Sequence, residues 1–426
     1  MNKERTFPII FPDEIRQALN LAKDGGASPE VGLAKKMEKK NTMKFTVLKS
    51  DLMSKLTPAM GTVSNKNTIT SIEGVLIETM DDGRIRLSTY DMNKGNRTLL
   101  TPTSIEREGK FILNAQRFYQ TVRVLPEDEI TIDINDKLNC TISCGRASFS
   151  MFAMHGADFP NLPELISDKG FEMSSETLRR MIGKVSHSVA EIDNRPMLCG
   201  AFFKITSEGI EVVSCDSYTL SRCSMKCDVR SIAVDGGLNY SFIIPGHALG
   251  ELSKYLADGE DQAVKFYLSR KHAIVKKEDS VFFTRTIDSE YIDYERIIPR
   301  GNDIILTVDR ERFLDGLERA NIIAEEKIKG GKSYVKLTAE DDSLLLTSSS
   351  VNGNVFDEMD CIHEGGNIEI GFNGRYLINS ASVAEGESIK ITMKSPTQAI
   401  TIEPNEPDES FSYFYMILPV RMNEQK

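Results

Sequence analysis

The chain has 426 residues, 40% of them hydrophobic and 27% charged, so it is not a disordered polyelectrolyte and is too long for one ordinary core; two to four domains are expected. No apolar run approaches the roughly 18 residues that span a bilayer, which excludes a membrane helix and makes a soluble, cytoplasmic protein the expectation. The net charge of −11 at pH 7 counts against nucleic acid unless the cations are gathered on one surface.

Residues 1–42 stand apart from the rest of the chain. Pro12 to Ala22 reads as a short helix, Gly25 to Pro29 breaks it, and a Lys-rich stretch runs on to Met43, itself a candidate start. A mostly disordered extension is expected there.

From Met43 onward one template occurs three times. In Phe45 to Leu52, Phe171 to Leu178 and Leu306 to Phe313, apolar residues hold offsets 0, 2 and 7; offset 11 carries Leu56, Ile182 and Leu317, and offset 14 carries Ala59, Val185 and Ala320. The first two offsets are strand alternation and the last three are one stripe of an α-helix, with Ser50, Ser175 and Asp309 near the junction as caps. A related template begins at Phe111, Phe242 and Ile370 and places Phe118, Leu249 and Leu377 at offset 7. Successive copies lie 126 and 135 residues apart for the first template, and 131 and 128 for the second. Repeats of that length are whole domains rather than solenoid turns.

Between the helices come strand-like runs such as Glu129 to Ile134, Ile210 to Val213, Ser343 to Thr347 and Ile389 to Thr392, bounded by Gly, Asn and Asp. Each domain is therefore α+β, two helices on antiparallel sheet, with boundaries at 43–169, 170–299 and 300–422.

The seven cysteines, at 140, 144, 199, 215, 223, 227 and 361, are odd in number and contain no CxxC pair, so reduced, packed thiols are expected rather than disulfides or zinc. Cys223 and Cys227 are the most metal-like pair, but in a strand their spacing only puts them on one face, and no histidine stands at ligand spacing. Gly330 to Ser333 imitates the end of a phosphate-binding loop, yet the required earlier glycine falls on Glu326, and a helix precedes the segment where the motif needs a strand. No nucleophile elbow or HExxH helix is present, and no cofactor or catalytic residue is expected.

Three local segments carry a resemblance. Gly156 to Leu162 resembles the ADFPNL segment of the bacterial β sliding clamp family, the β subunit of DNA polymerase III; Asp288 to Pro299 is similar to its DGxFPDYxRVLP segment, and Tyr415 to Met422 to its terminal YxxMPxRL. The resemblance spans residues 43 to 422. It implies three clamp domains per chain, two chains joined head to tail as a homodimeric ring, helices lining the hole, and a processivity factor that encircles double-stranded DNA. The partners it implies are the polymerase III catalytic subunit, the clamp loader and other clients. A structural repeat protein that holds no DNA is the alternative.

Charge agrees with a ring: the six helix segments sum to +6, which leaves −17 elsewhere. A basic lining holds phosphates without reading bases, and an acidic exterior repels them. Lys66, Arg117, Arg123, Arg179, Arg180 and Lys184 are the lining candidates.

By motif, the resemblance also implies a client-peptide pocket. Its walls would be Leu198, Leu220, Ile292, Ile297, Ile417, Leu418, Pro419 and Met422, with Arg296, Tyr376, Val420 and Arg421 beside them. In Cys215 to Leu220 the family has T-D-G-H-R-L, so Cys215, Ser217, Tyr218 and Thr219 depart from it; Tyr for His narrows the pocket and Thr for Arg removes a charge. At the ring joint, Phe149 and Met151 match one surface and Ile322 and Ile323 the other.

Overall fold

A computed structural model describes residues 42–64, 69–165, 167–227, 229–233, 236–257, 261–324, 334–350, 353–406 and 408–422. Apart from Thr42, the expected extension lies outside them, as do Lys66 and Gly330 to Ser333.

The repeated stripes form six helices: α1 (Lys49–Ala59), α2 (Ala115–Val124), α3 (Ser175–Val185), α4 (Gly246–Ala257), α5 (Arg310–Ala324) and α6 (Gly374–Val383). Leu52, Leu56 and Ala59 on α1, Leu178, Ile182 and Val185 on α3, and Phe313, Leu317 and Ala320 on α5 are all buried, as their spacing requires. The caps agree with expectation in part. Asp309 accepts from the Arg312 N–H at 2.7 Å, and Asn114 and Asn373 cap α2 and α6 through their side-chain oxygens. Ser50 caps nothing, because α1 begins one residue earlier behind Leu48. At α3 the cap comes from a distant residue: Asp261 accepts from the Glu176 N–H and the Ser175 hydroxyl, both at 3.0 Å.

Chain contacts divide the molecule into two units, residues 1–176, 230–238 and 250–286, and residues 177–229, 239–249 and 287–426. This division runs through the middle repeat. Its cause is sheet continuity. In the first unit, Ser280–Arg285 of the middle repeat pairs with Lys94–Leu100 of the first repeat, fusing both into one 14-stranded sheet. In the second unit, Thr219–Met225 pairs along its whole length with Phe411–Ile417 of the third repeat inside a 9-stranded sheet, and a separate 4-stranded sheet runs from Asn354–Asp360 to Ile368–Phe372. All the pairings are antiparallel, and Phe45, Ile132, Phe111 and Phe118 fill the core under α1 and α2.

The second unit's sheet joint is locked by charge. Glu385, just past α6, accepts from Arg180 Nε at 3.1 Å and pairs with Lys184 Nζ at 2.8 Å. Lys184 also donates to the Val383 carbonyl, ending α6, and lies 4.5 Å from the Tyr413 ring centre, while the Arg180 guanidinium sits 3.6 Å over Phe411. Partial burial raises the Glu385 carboxyl, but hydrogen bonds from Arg180 and Lys184 outweigh it and hold the group below its usual range. Burial pushes the Lys184 amine down in spite of its partner.

Removing Glu385 strands a buried amine. Glu385→Gln should destabilise the protein by about 2 kcal/mol at pH 7, between the roughly 1 kcal/mol of an exposed pair and the roughly 3–5 of a fully buried one. Because the folded-state carboxyl is depressed, its contribution is complete above the unfolded value of about 4.3 and is lost as pH falls through the folded one. Urea midpoints of the two proteins should therefore converge in acid; a constant gap would show that shape rather than charge was lost.

Candidate functional site

In the second unit, an apolar cluster gathers at one end of the sheet joint, where the client groove is expected. Leu198 is held in the three-ten turn Pro196–Cys199, started by a proline whose missing N–H is not needed there. Leu220 faces Met416 across the strand pair, and Val213, Cys215, Tyr294 and Ala399 pack with them, with Tyr291, Ile292 and Ile298 against the cluster. Burial pushes both the Cys215 thiol and the Tyr291 phenol up, so the wall is neutral.

Three backbone segments frame this groove. The turn Asp216 to Thr219 closes with Asp216 N–H to the Thr219 carbonyl at 3.1 Å, and the Asp216 carboxylate accepts from the N–H groups of Tyr218 at 2.9 Å and Thr219 at 2.6 Å. Ser217 takes the left-handed conformation at φ 80°, where the family has glycine. Its hydroxyl accepts from Arg195, whose guanidinium is forked on Asp193 at 2.9 and 3.0 Å. The tail is tied by Leu418 N–H to the Tyr218 carbonyl at 2.9 Å and by Val420 N–H to the Gly371 carbonyl at 2.8 Å. A side chain at Gly371 would come within 2.9 Å of Met422 Cγ, so glycine is what lets the tail lie this close.

Most of the predicted groove residues are brought together. Leu198, Cys215, Leu220 and Ile292 belong to the cluster; Leu418 and Ile297 are exposed, and Pro419, Val420 and Met422 are half-buried. Ile417 does not sit on this face. Strand alternation puts Met416 beside Leu220 and sends Ile417 to the opposite side, opposite Thr219. Ile298 likewise packs on the cluster while its neighbour Ile297 faces out. Arg296 pairs with Asp293 at 2.7 Å, and Arg421 is exposed. Met416, Tyr291 and Tyr294 are not among the expected residues, and Met416 becomes visible only once the register against Leu220 is known.

The basic candidates divide. Arg117 and Arg123 on α2 and Arg179 on α3 are exposed and pair with no carboxylate among the described residues. Arg180 and Lys184 correct the expectation: both are committed to Glu385, and the Lys184 side chain is 5% exposed. An i, i+4 pair on the face turned to the sheet serves packing, which charge counting along a helix does not reveal.

Among the open sheet edges of the described residues, two carry strongly exposed phenylalanines. Residues 147–152 of the strand Ala147–His155 pair only with Asn139–Cys144, and Asn354–Asp360 ends the 4-stranded sheet. Phe149 is exposed and Met151 packs on the first core; Phe152, not anticipated, is 81% exposed. In the second unit Ile322 is 70% exposed, Ile323 is half-buried, and Phe356 and Ile362 add exposed apolar surface. Among the described residues no cluster of His, Cys, Asp or Glu could hold a metal ion, and no helix is long and apolar enough to cross a membrane.

Three family models match consecutive stretches: the N-terminal domain of the DNA polymerase III beta subunit at residues 43–163, its central domain at 172–293 and its C-terminal domain at 295–421. The chain belongs to the DNA polymerase III beta subunit family. It is therefore a DNA sliding clamp, a non-catalytic processivity subunit, built from three clamp domains. It is similar to the Beta sliding clamp of Bacillus subtilis (strain 168), 27% identical over 396 residues covering 89% of this chain and 100% of that one. The crystal structure of the Bacillus subtilis DNA polymerase sliding clamp superposes with a TM-score of 0.80 at 26% identity, over 89% of this chain and 100% of that one. The beta subunit of Thermotoga maritima shares the fold, with a TM-score of 0.81 at 24% identity over the same fractions.

The thiols offer a check on the groove. Burial pushes Cys140 and Cys223 up to about 12 and raises Cys215, so at pH 8 these three should resist iodoacetamide while half-buried Cys199 and Cys227 react. Mass spectrometry of the native and urea-unfolded protein reads the difference; rapid native labelling of Cys215 would show that the groove wall is not closed.

Proposed function

We propose that two copies of this clamp join head to tail into a ring around duplex DNA, and that the groove beside Leu220 and the C-terminal tail holds short apolar peptides of client proteins. The clients are the polymerase III catalytic subunit and the clamp loader, acting in the cytoplasm. The observation that carries the ring is the pair of open edges. Residues 147–152 and Asn354–Asp360 each present unpaired backbone groups beside exposed aromatic side chains, Phe149 and Phe152 on one and Phe356 on the other. Such edges invite pairing with another chain, and two unlike surfaces on one chain make the head-to-tail contact that closes a ring. Ile322 and Ile323 join the second surface, Met151 the first.

Sliding asks for phosphate contacts without base contacts, and Arg117, Arg123 and Arg179 supply exposed guanidinium groups for it. The groove suits peptide anchoring because its walls are apolar and the turn beside it is held by the Asp216 carboxylate. Exposed Leu418 and Ile297 await cover from such a partner.

Loaded onto circular duplex, the protein should be retained through gel filtration and released when the circle is cut. Replacing Ile322 and Ile323 with lysine should give monomers by sedimentation and abolish retention, since unpaired charge would be buried at each joint. A linear repeat protein would give neither result. Deleting residues 418–426 should leave the dimer intact yet remove binding of a polymerase-derived peptide in fluorescence anisotropy, because a few buried anchors, about 2 kcal/mol or more each, carry such affinity. Undiminished peptide binding would refute the groove assignment.

A further inference from the structure

At the rim of the groove the Tyr218 ring, 58% exposed, lies near-parallel to Tyr376, 5.9 Å between centres and 18° between planes. The ring is well positioned. Its backbone N–H is held by Asp216, its carbonyl by Leu418, and Ser217 before it by Arg195. The carboxylate of Asp216 lies close enough to act on Tyr376, whose phenol is raised by burial and further by that charge.

Asp216 makes no ion pair among the described residues, while Arg195 is committed to Asp193 and Arg296 to Asp293. Tyr218 is uncharged, and Thr219 is buried and donates to Ser188, so neither neighbour in the turn offers Asp216 a cation.

We propose that Tyr218, Tyr376 and Asp216 form a cation-accepting rim, and that this clamp selects client peptides carrying an arginine beside their apolar anchors. The inference rests on the groove being the client site and adds to it the class of residue recognised. A guanidinium is planar, stacks on a tyrosine face and can reach a carboxylate at the same time, a match that lysine makes less well.

Anisotropy titrations of the full-length protein with labelled synthetic peptides test this. The peptides share a Leu-Phe anchor pair and carry either arginine or citrulline, its neutral isostere, immediately before or after the pair. One arginine peptide should bind about three- to five-fold more tightly than its citrulline counterpart at low salt, the size of an exposed cation–π contact. The ratio should persist in Tyr218→Phe, fall in Asp216→Asn, which retains the oxygen that holds the turn, and vanish in Tyr218→Ala. Equal binding of arginine and citrulline peptides by the unmodified protein overturns the rim while leaving the groove in place. A ratio that survives Tyr218→Ala, or a loss in that variant equal for both peptides, also overturns it, the latter by making the ring a plain apolar anchor. If no peptide binds, the groove reading fails and the rim with it.

Discussion

Each edge of an antiparallel sheet carries a row of N–H and C=O groups that must find partners or face water. Within this chain the repeats meet that demand by borrowing from one another. Seven residue pairs join Thr219–Met225 to Phe411–Ile417, and five join Ser280–Arg285 to Lys94–Leu100. The joints are therefore ordinary sheet, as cooperative as the interior of a domain, and so compact units cut through the middle repeat rather than between repeats. Among the edges without an internal partner are residues 147–152 and Asn354–Asp360, and assembly with a second copy would satisfy these two.

The groove is a consequence of the same joint. Once Thr219 is opposite Ile417, the turn that precedes one strand and the tail that continues from the other must leave the sheet side by side. Leu418 then bonds to Tyr218, and Leu220 faces Met416 beneath them. The Glu385 latch fixes this geometry from the other end of the strand, through rings at Phe411 and Tyr413. Support for the site thus comes from residues that never touch it.

Much of this architecture is legible in the sequence alone. Period switching from 2 to 3.6 locates three strand-helix starts whose stripes are buried without exception, because such patterns are local and each side chain reports its own burial. Pairing between distant strands leaves no comparable local mark. Ile417 is expected in the groove and Met416 overlooked for that reason: an apolar run at the terminus does not say which parity faces Leu220 until the register is known. Phe152 escapes notice likewise, since exposure at an edge depends on which neighbour is absent. Ser50 fails as a cap because the capping position is Leu48, two residues earlier, and the Asp261 cap on α3 cannot be read because it acts from 85 residues away.

Arg180 and Lys184 show how charge can mislead by its location. Counted along the sequence they belong to a basic lining; in the fold they neutralise Glu385 inside the joint. Of the lining candidates among the described residues this leaves Arg117, Arg123 and Arg179 without an ion pair, a small number for a protein of net charge −11. An open DNA-binding surface with three such contacts would bind weakly, and salt would weaken it further. A closed ring escapes that limit, because release then requires breaking a sheet joint rather than a few ion pairs. In the proposed ring weak contacts become an advantage, because they would centre the duplex without anchoring it. On that proposal the few unpaired lining candidates and the open edges act together: topology would hold the DNA and chemistry would leave it free to slide.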